Sequence, residues 1–258
     1  MDRSSSTYLT LPSNASLAYY PDNTLSSYTV KLDPPLHLEG AYEVGLSEIC
    51  YPRSWVNVRD NEARLSLQVH RHRPPPGDSA SSLQQRVVTL PGGQYDSAQH
   101  LIDSLRRQTS FHFKSVQFQY DEPSRKVAIT VPRNLTVKLS PLLKDILGFQ
   151  DDTLVGFRRG ERVVDLNRGF TALYVYASVV QDRIVGDTRA PLLRMVPARG
   201  KHGDIVFQTY HDVHFLPVAF NSFDRVTINI RNGAGDLVPF ETGQVVVTLQ
   251  LRPRPYGS

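Results

Sequence analysis

One cysteine in 258 residues leaves Cys50 without a partner inside the chain, so no intrachain disulfide braces this fold. Cys50 lies in the apolar run "SEICYP", where a small buried thiol in a reducing compartment is the expected role. A catalytic thiol would need a partnering base and an exposed, electropositive setting, which this run does not offer. No stretch reaches the roughly 18 consecutive apolar residues of a membrane helix. "MDRSSSTYLTLPSNAS" lacks the apolar centre of a secretory signal. The expectation is therefore a soluble protein made inside a cell, with no membrane span. Asn14-Ala15-Ser16 and Asn134-Leu135-Thr136 match the glycosylation pattern, which has no consequence without the secretory pathway. Also missing are a G-x-S-x-G elbow, a phosphate-binding glycine loop and an H-E-x-x-H helix, so readings as an enzyme have little to stand on.

What is present is enough apolar material, 40% of residues, for one large domain or two small ones. The formal charge of +4 is carried by arginines spread along the chain rather than gathered in a tail. That balance fits weak phosphate contact, whereas dedicated nucleic-acid modules concentrate their charge more.

Period two dominates both ends. Val226, Ile228 and Ile230 alternate with Thr227, Asn229 and Arg231; Val245, Val247, Leu249 and Leu251 alternate with Val246, Thr248, Gln250 and Arg252. Both runs read as half-buried antiparallel strands. Asn232-Gly233 and Gly235-Asp236 supply turns between them, and Pro239 and Gly243 keep the connection from pairing continuously. In "FTALYVYASVV" Leu173, Val175, Ala177 and Val179 share one face, with tyrosines on the other. The opening runs alternate too, with Tyr28, Val30 and Leu32 in the first and Tyr42, Val44 and Leu46 in the second, after which Glu48 falls on the apolar face. Either a bulge near Gly45 reverses the register or the carboxylate is buried beside an arginine. "RLSLQVH", "QRVVTL", "PLLRMV" and "DIVFQTY" are further short strands bounded by Pro, Gly or Asp, the pattern of a sandwich or barrel.

Residues 92–150 depart from this grammar. "PGGQYDSAQHLIDSLRRQ" carries a helix start at Ser97 with Ala98, Leu101, Ile102 and Leu105 on one face, and "VQFQYDEPSRKVAITV" reads as a hairpin turning at Asp121 to Ser124. "SPLLKDILGF" predicts a short helix with Ser140 as N-cap, Pro141 at its first position and Gly148 as C-cap. The expectation is an α+β excursion between strands of a single domain spanning 1–258; a separate small α+β domain is the alternative. "RHRPPPGDSASSLQQ" reads as a long exposed loop with a polyproline start.

Candidate chemistry is sparse. His70-Arg71-His72 would put two imidazoles on one strand face, as in metal-binding cupins, yet the third ligand is missing where "RPPPGD" follows. His211 and His214 are spaced as helical neighbours in a segment that reads as strand or loop, so solvated histidines are expected. Asp151-Asp152 sits in a turn-like segment. Arg158, Arg159, Arg162 and Arg168 form the densest basic patch, read as a solvated loop that Glu161 and Asp165 partly neutralise, or as contact with an acidic partner or nucleic acid. No metal, cofactor or catalytic residue is assigned.

Four blocks, "LPSNASLAYYPDNTLSSYTVKL", "YEVGLSEICYPRSW", "IVGDTRAPLLRMVP" and "NIRNGAGDLVPFETGQVVVTLQLRP", in this order between about residues 8 and 252, resemble the penton, or minor capsid, protein of Polinton/Maverick elements and adintoviruses. The resemblance implies an all-β fold, a single jelly-roll sandwich of two antiparallel sheets with the α+β insertion, acting as a structural protein of the virion. It implies homopentamers at icosahedral fivefold vertices and a double-jelly-roll major capsid protein as partner. Weak contact with packaged DNA and assembly in the nucleus go with it. Some adenovirus-type pentons bear an Arg-Gly-Asp receptor loop; this chain has Arg159-Gly160-Glu161. Interface candidates come from the sequence itself: Tyr8 and Leu11 in an N-terminal arm, and loops around Trp55 and around Arg158, Arg159 and Arg162. Two other classes compete, a non-viral jelly-roll interaction module of the trimeric ligand type and a cupin-like metal enzyme.

Overall fold

The structure, a computed structural model, describes residues 6–69, 84–110 and 115–255. It divides into two compact units, Met1–Trp55 with Phe170–Ser258, and Val56–Gly169. The first unit opens with β1 (Thr7–Pro12), β2 (Ser27–His37) and β3 (Tyr42–Pro52). The chain then leaves for the second unit and returns at Phe170.

The second unit contains β4 (Arg64–Val69), β5 (Gln84–Thr89), α1 (Ala98–Ser110), β6 (Gln117–Asp121), β7 (Lys126–Val131), β8 (Leu135–Leu139), α2 (Pro141–Leu147), β9 (Thr153–Leu154) and β10 (Gly156–Arg159). The strands form two antiparallel sheets, β5-β4-β8-β9 and β10-β7-β6. Ser97 starts α1 by accepting the His100 N–H at 3.1 Å, and the i, i+4 spacing of Leu101 and Leu105, with Ile102, buries one helix face completely. Arg106 ties that helix to β6 by donating twice to the Phe118 carbonyl, at 2.9 and 2.7 Å. Ser140 caps α2, accepting the Leu143 N–H, and Gly148 ends it at φ 78°. A side chain at that glycine would both strain the backbone and meet the Arg162 carbonyl. One apolar cluster drawn only from residues 58–164 fills this unit.

The unit is wider than the 92–150 excursion expected from sequence. The reason is pairing: "RLSLQV" and "QRVVT" are strands as read, but their ladders run to each other and to β8, with Leu65 opposite both Val88 and Leu139.

The return leg supplies β11 (Ala172–Ala177), β12 (Arg183–Val185), β13 (Thr188–Ala190), β14 (Leu192–Pro197), β15 (Ile205–Thr209), β16 (Leu216–Pro217), β17 (Ser222–Arg231) and β18 (Val246–Pro253). One antiparallel sheet has the order β1-β18-β3-β15, with β16 also pairing β3; the other is β14-β11-β17-β2. Along the chain, the eight principal strands of the first unit change sheet at every step except β11 to β14. This is a jelly roll, with the second unit inserted between β3 and β11. The alternating residues meet as the sequence predicts: Val226, Ile228, Ile230, Val245, Val247, Leu249 and Leu251 are buried in one core with Leu173, Val175 and Ala177. β17 and β18 do not pair with each other; the turn-rich segment between them carries the chain from one sheet to the other.

The Glu48 conflict resolves through a bulge. The β3–β18 register shifts between Thr248 and Leu249, opposite Glu48 and Leu46, leaving Ser47 as the extra residue. Its hydroxyl donates to the Thr248 carbonyl at 3.0 Å. Leu46 and Ile49 therefore both point inward, and Glu48 returns to the outer face. The bulge lies two residues beyond the expected Gly45, whose own contact is different. A Cβ there would overlap Val213 and the His214 carbonyl, so glycine lets the 213–214 segment lie on the strand.

Candidate assembly surfaces

Of the residues singled out as interface candidates, Tyr8 is the one that the sandwich presents. It does not stand on a free arm: Thr7–Pro12 is the edge strand β1, paired with β18, and Tyr8 lies on the outer face opposite Gln250 at 59% exposure. Leu11 is corrected to a core residue. It is 1% exposed, two residues along from Leu9 on the inner face, and its carbonyl accepts the buried Tyr28 hydroxyl at 3.0 Å. That burial raises the Tyr28 pKa well above its ordinary value, by desolvation of the phenolate.

Trp55 is corrected likewise, being 4% exposed. Its ring centroid lies 4.9 Å from that of Phe170 and 5.6 Å, edge-on, from that of Phe240. The Arg53 guanidinium sits 3.9 Å over the indole and donates to the Trp55 carbonyl at 2.8 Å. An aromatic cluster with a stacked cation is a packed corner of the sandwich, and a partner would have to unfold it to reach the indole.

The basic patch is more ordered than a solvated loop. Arg158 and Arg159 belong to β10, an edge strand paired with β7. Arg159 forms an ion pair with Asp121 at 2.5 Å and Arg162 one with Asp145 at 3.6 Å, all four side chains roughly half exposed. Among the described residues Arg158 makes no ion pair, and it stands beside Phe157, which is 65% exposed. The Arg159-Gly160-Glu161 tripeptide is tied into the inserted unit through its backbone and the Glu161 carboxylate. Gly160 donates to the Val127 carbonyl, a side chain there would meet the Leu147 carbonyl, and the Glu161 carboxylate accepts the Gln150 N–H at 2.9 Å.

His70 and His72 lie outside the described residues. His211 and His214 are exposed in an irregular segment. Among the described residues no three of His, Cys, Asp and Glu come together in a group that could hold a metal ion. Cys50 faces outward on β3, partly covered, and that desolvation raises its pKa and keeps it a thiol. No helix among the described residues is long and apolar enough to cross a membrane.

The surface that sequence reasoning missed is β15. Ile205 and Phe207 are 75% and 65% exposed on the outer face, while Val206 packs into the core. "DIVFQT" carries apolar residues on both faces of a strand, a departure from apolar-in, polar-out alternation.

No protein-family model matches the chain, and no curated protein matches it. Among solved structures, it is similar to the crystal structure of selenomethionine-labelled mavirus penton protein, with a TM-score of 0.50 at 10% sequence identity, over 96% of this chain and 99% of that one. A share that large takes in both the sandwich and the inserted unit, and at this identity it shows the fold, a penton-like jelly roll.

Proposed function

We propose that this chain is a penton-type capsid subunit that forms a homopentamer at the fivefold vertex of an icosahedral shell, next to a double-jelly-roll major capsid protein. The observation that carries the reading is the near end-to-end similarity to the mavirus penton protein. Two unrelated proteins that happened to share a sandwich would not be expected to share the large insertion as well. The four sequence blocks that resemble Polinton/Maverick and adintovirus pentons point the same way. The outer faces, with Tyr8, Ile205 and Phe207 exposed, offer the lateral contacts that a shell protein needs. On this reading the protein works by being held in place: no step of chemistry is assigned to it, and the exposed Arg158 is a candidate for weak contact with packaged DNA.

A closed ring repeats one heterologous contact, and each subunit meets two neighbours and the surrounding shell, so an individually weak interface persists once several act together. Native mass spectrometry of the purified chain across a concentration series tests this. Pentamers that grow in with concentration are expected; a discrete trimer would overturn the reading in favour of a trimeric ligand-type module.

A further inference from the structure

Both outer strands of the β1-β18-β3-β15 sheet leave a hydrogen-bonding edge open. In an antiparallel ladder, alternate residues exchange both backbone bonds with the neighbouring strand and the others turn theirs away. On β15 the Asp204 carbonyl accepts from Arg53 and the Tyr210 N–H donates to Ser47, so residues 204, 206, 208 and 210 face β3. Ile205, Phe207 and Thr209 turn their N–H and C=O groups outward. On β1 the Ser13 N–H donates to Val245, so residues 7, 9 and 11 face β18, and Ser6, Tyr8 and Thr10 turn theirs outward. Among the described residues, none of the backbone groups of Tyr8, Thr10, Ile205, Phe207 or Thr209 has a partner in a turn or loop. β15 also carries no charge, proline or bulge, the usual protections of an edge strand, and presents Ile205 and Phe207 instead.

We propose that β15 of one copy pairs with β1 of the next, extending this sheet across the subunit boundary. The proposal rests on the ring reading above and names its contact. Two features of the fold commit it to a second copy. First, strand direction alternates through β1, β18, β3 and β15, so a copy added in the same orientation brings its β1 antiparallel to β15. Second, the residues with outward backbone groups are on both strands those whose side chains face solvent, Ile205 and Phe207 on one and Tyr8 and Thr10 on the other. Pairing them keeps the inner faces of both sheets aligned, as the alternating strand directions require.

The register follows. Phe207 opposite Tyr8 sets Ile205 opposite Thr10 and Thr209 opposite Ser6, each with an N–H to give. A two-residue slip in one direction would set Ile205 opposite Pro12, which has none, and a slip in the other would set Phe207 opposite Ser6 and lose the aromatic partner. The chosen register also makes Phe207 and Tyr8 a cross-strand aromatic pair. Self-pairing of β15 about a twofold axis would leave both β1 edges open, whereas the β15–β1 contact satisfies both edges of this sheet once a ring closes.

The test is disulfide trapping in full-length protein carrying Cys50→Ser, needed because Cys50 lies directly opposite Phe207. Hydrogen-bonded antiparallel pairs stand about 5.5 Å apart at Cα, within disulfide range. Mixed Tyr8→Cys and Phe207→Cys single variants should give a mixed covalent dimer on oxidation, and the double variant a ladder ending at five chains. Thr209→Pro removes an N–H turned to the open edge and none that bonds β3. It should leave melting unchanged and weaken association about two- to tenfold per contact, the loss of one hydrogen bond. Rings of five without the mixed crosslink, Phe207–Phe207 crosslinks alone, or a Thr209→Pro variant that assembles like the parent would overturn the edge contact and leave the pentamer standing. The mixed crosslink with open chains in place of rings would overturn the pentamer and leave the edge contact. Neither crosslink nor ring would overturn both.

Discussion

Replacing Leu101 with aspartate should separate the two units energetically. Leu101 is fully buried on α1, in an apolar cluster built only from residues 58–164. Truncating such a leucine costs about 2–5 kcal/mol, and placing a carboxylate there adds several more, since the charge must be either desolvated or neutralised. A unit of this size is stable by about 5–15 kcal/mol. The substitution therefore consumes most or all of that margin, while the sandwich core, with Val175, Ile228 and Leu249, loses no contact of its own. Hydrogen exchange read by mass spectrometry should show peptides from α1, β6 and β7 losing protection while those from β17 and β18 keep it. Ile146→Asp, equally buried in the same cluster, should do the same. Simultaneous loss of protection in β17 and β18 in both variants would refute the reasoning, because it would mean that the insertion and the sandwich fold as one cooperative core.

Three further outcomes follow from particular residues. Ser140 accepts the Leu143 N–H and also the Arg64 N–H at 3.1 Å, so Ser140→Ala should cost about 1 kcal/mol, with early exchange of the α2 amides as the signature. Tyr28 keeps its proton in the folded state far above the ordinary tyrosine value of 10.0; below pH 10 both states are protonated and its ionisation has no effect. Above it the unfolded chain gives up the proton first, so stability falls by up to about 1.4 kcal/mol per pH unit from this group. Chemical denaturation between pH 9 and 11 should show Tyr28→Phe declining less steeply than the parent. Arg158→Glu should leave stability within about 0.5 kcal/mol and weaken retention on duplex DNA in low salt; unchanged retention would remove Arg158 from the DNA-contact proposal.

Strands and helix caps were legible because they are written locally. The Val226–Ile230 and Val245–Leu251 alternations and the Ser140-Pro141-Gly148 frame each have a short-range cause that tertiary structure reinforces. Partner choice was not legible. "RLSLQV" alternates as any half-buried strand does, and only its pairing with β8 assigns it to the inserted unit. Leu11 and Trp55 are large and apolar, and those properties recruit them to the core. β10 escaped notice because two adjacent arginines read as solvent, although an edge strand at the surface accommodates them. The exposure of Phe207 depends on which side of β15 meets β3, a register that no local pattern encodes.

The central claim is met most directly by electron cryomicroscopy of shells made by co-expressing this chain with its major capsid protein. The account predicts five copies of the jelly roll around each fivefold axis, with β15 of one beside β1 of the next. Shells whose vertices lack this chain would contradict it.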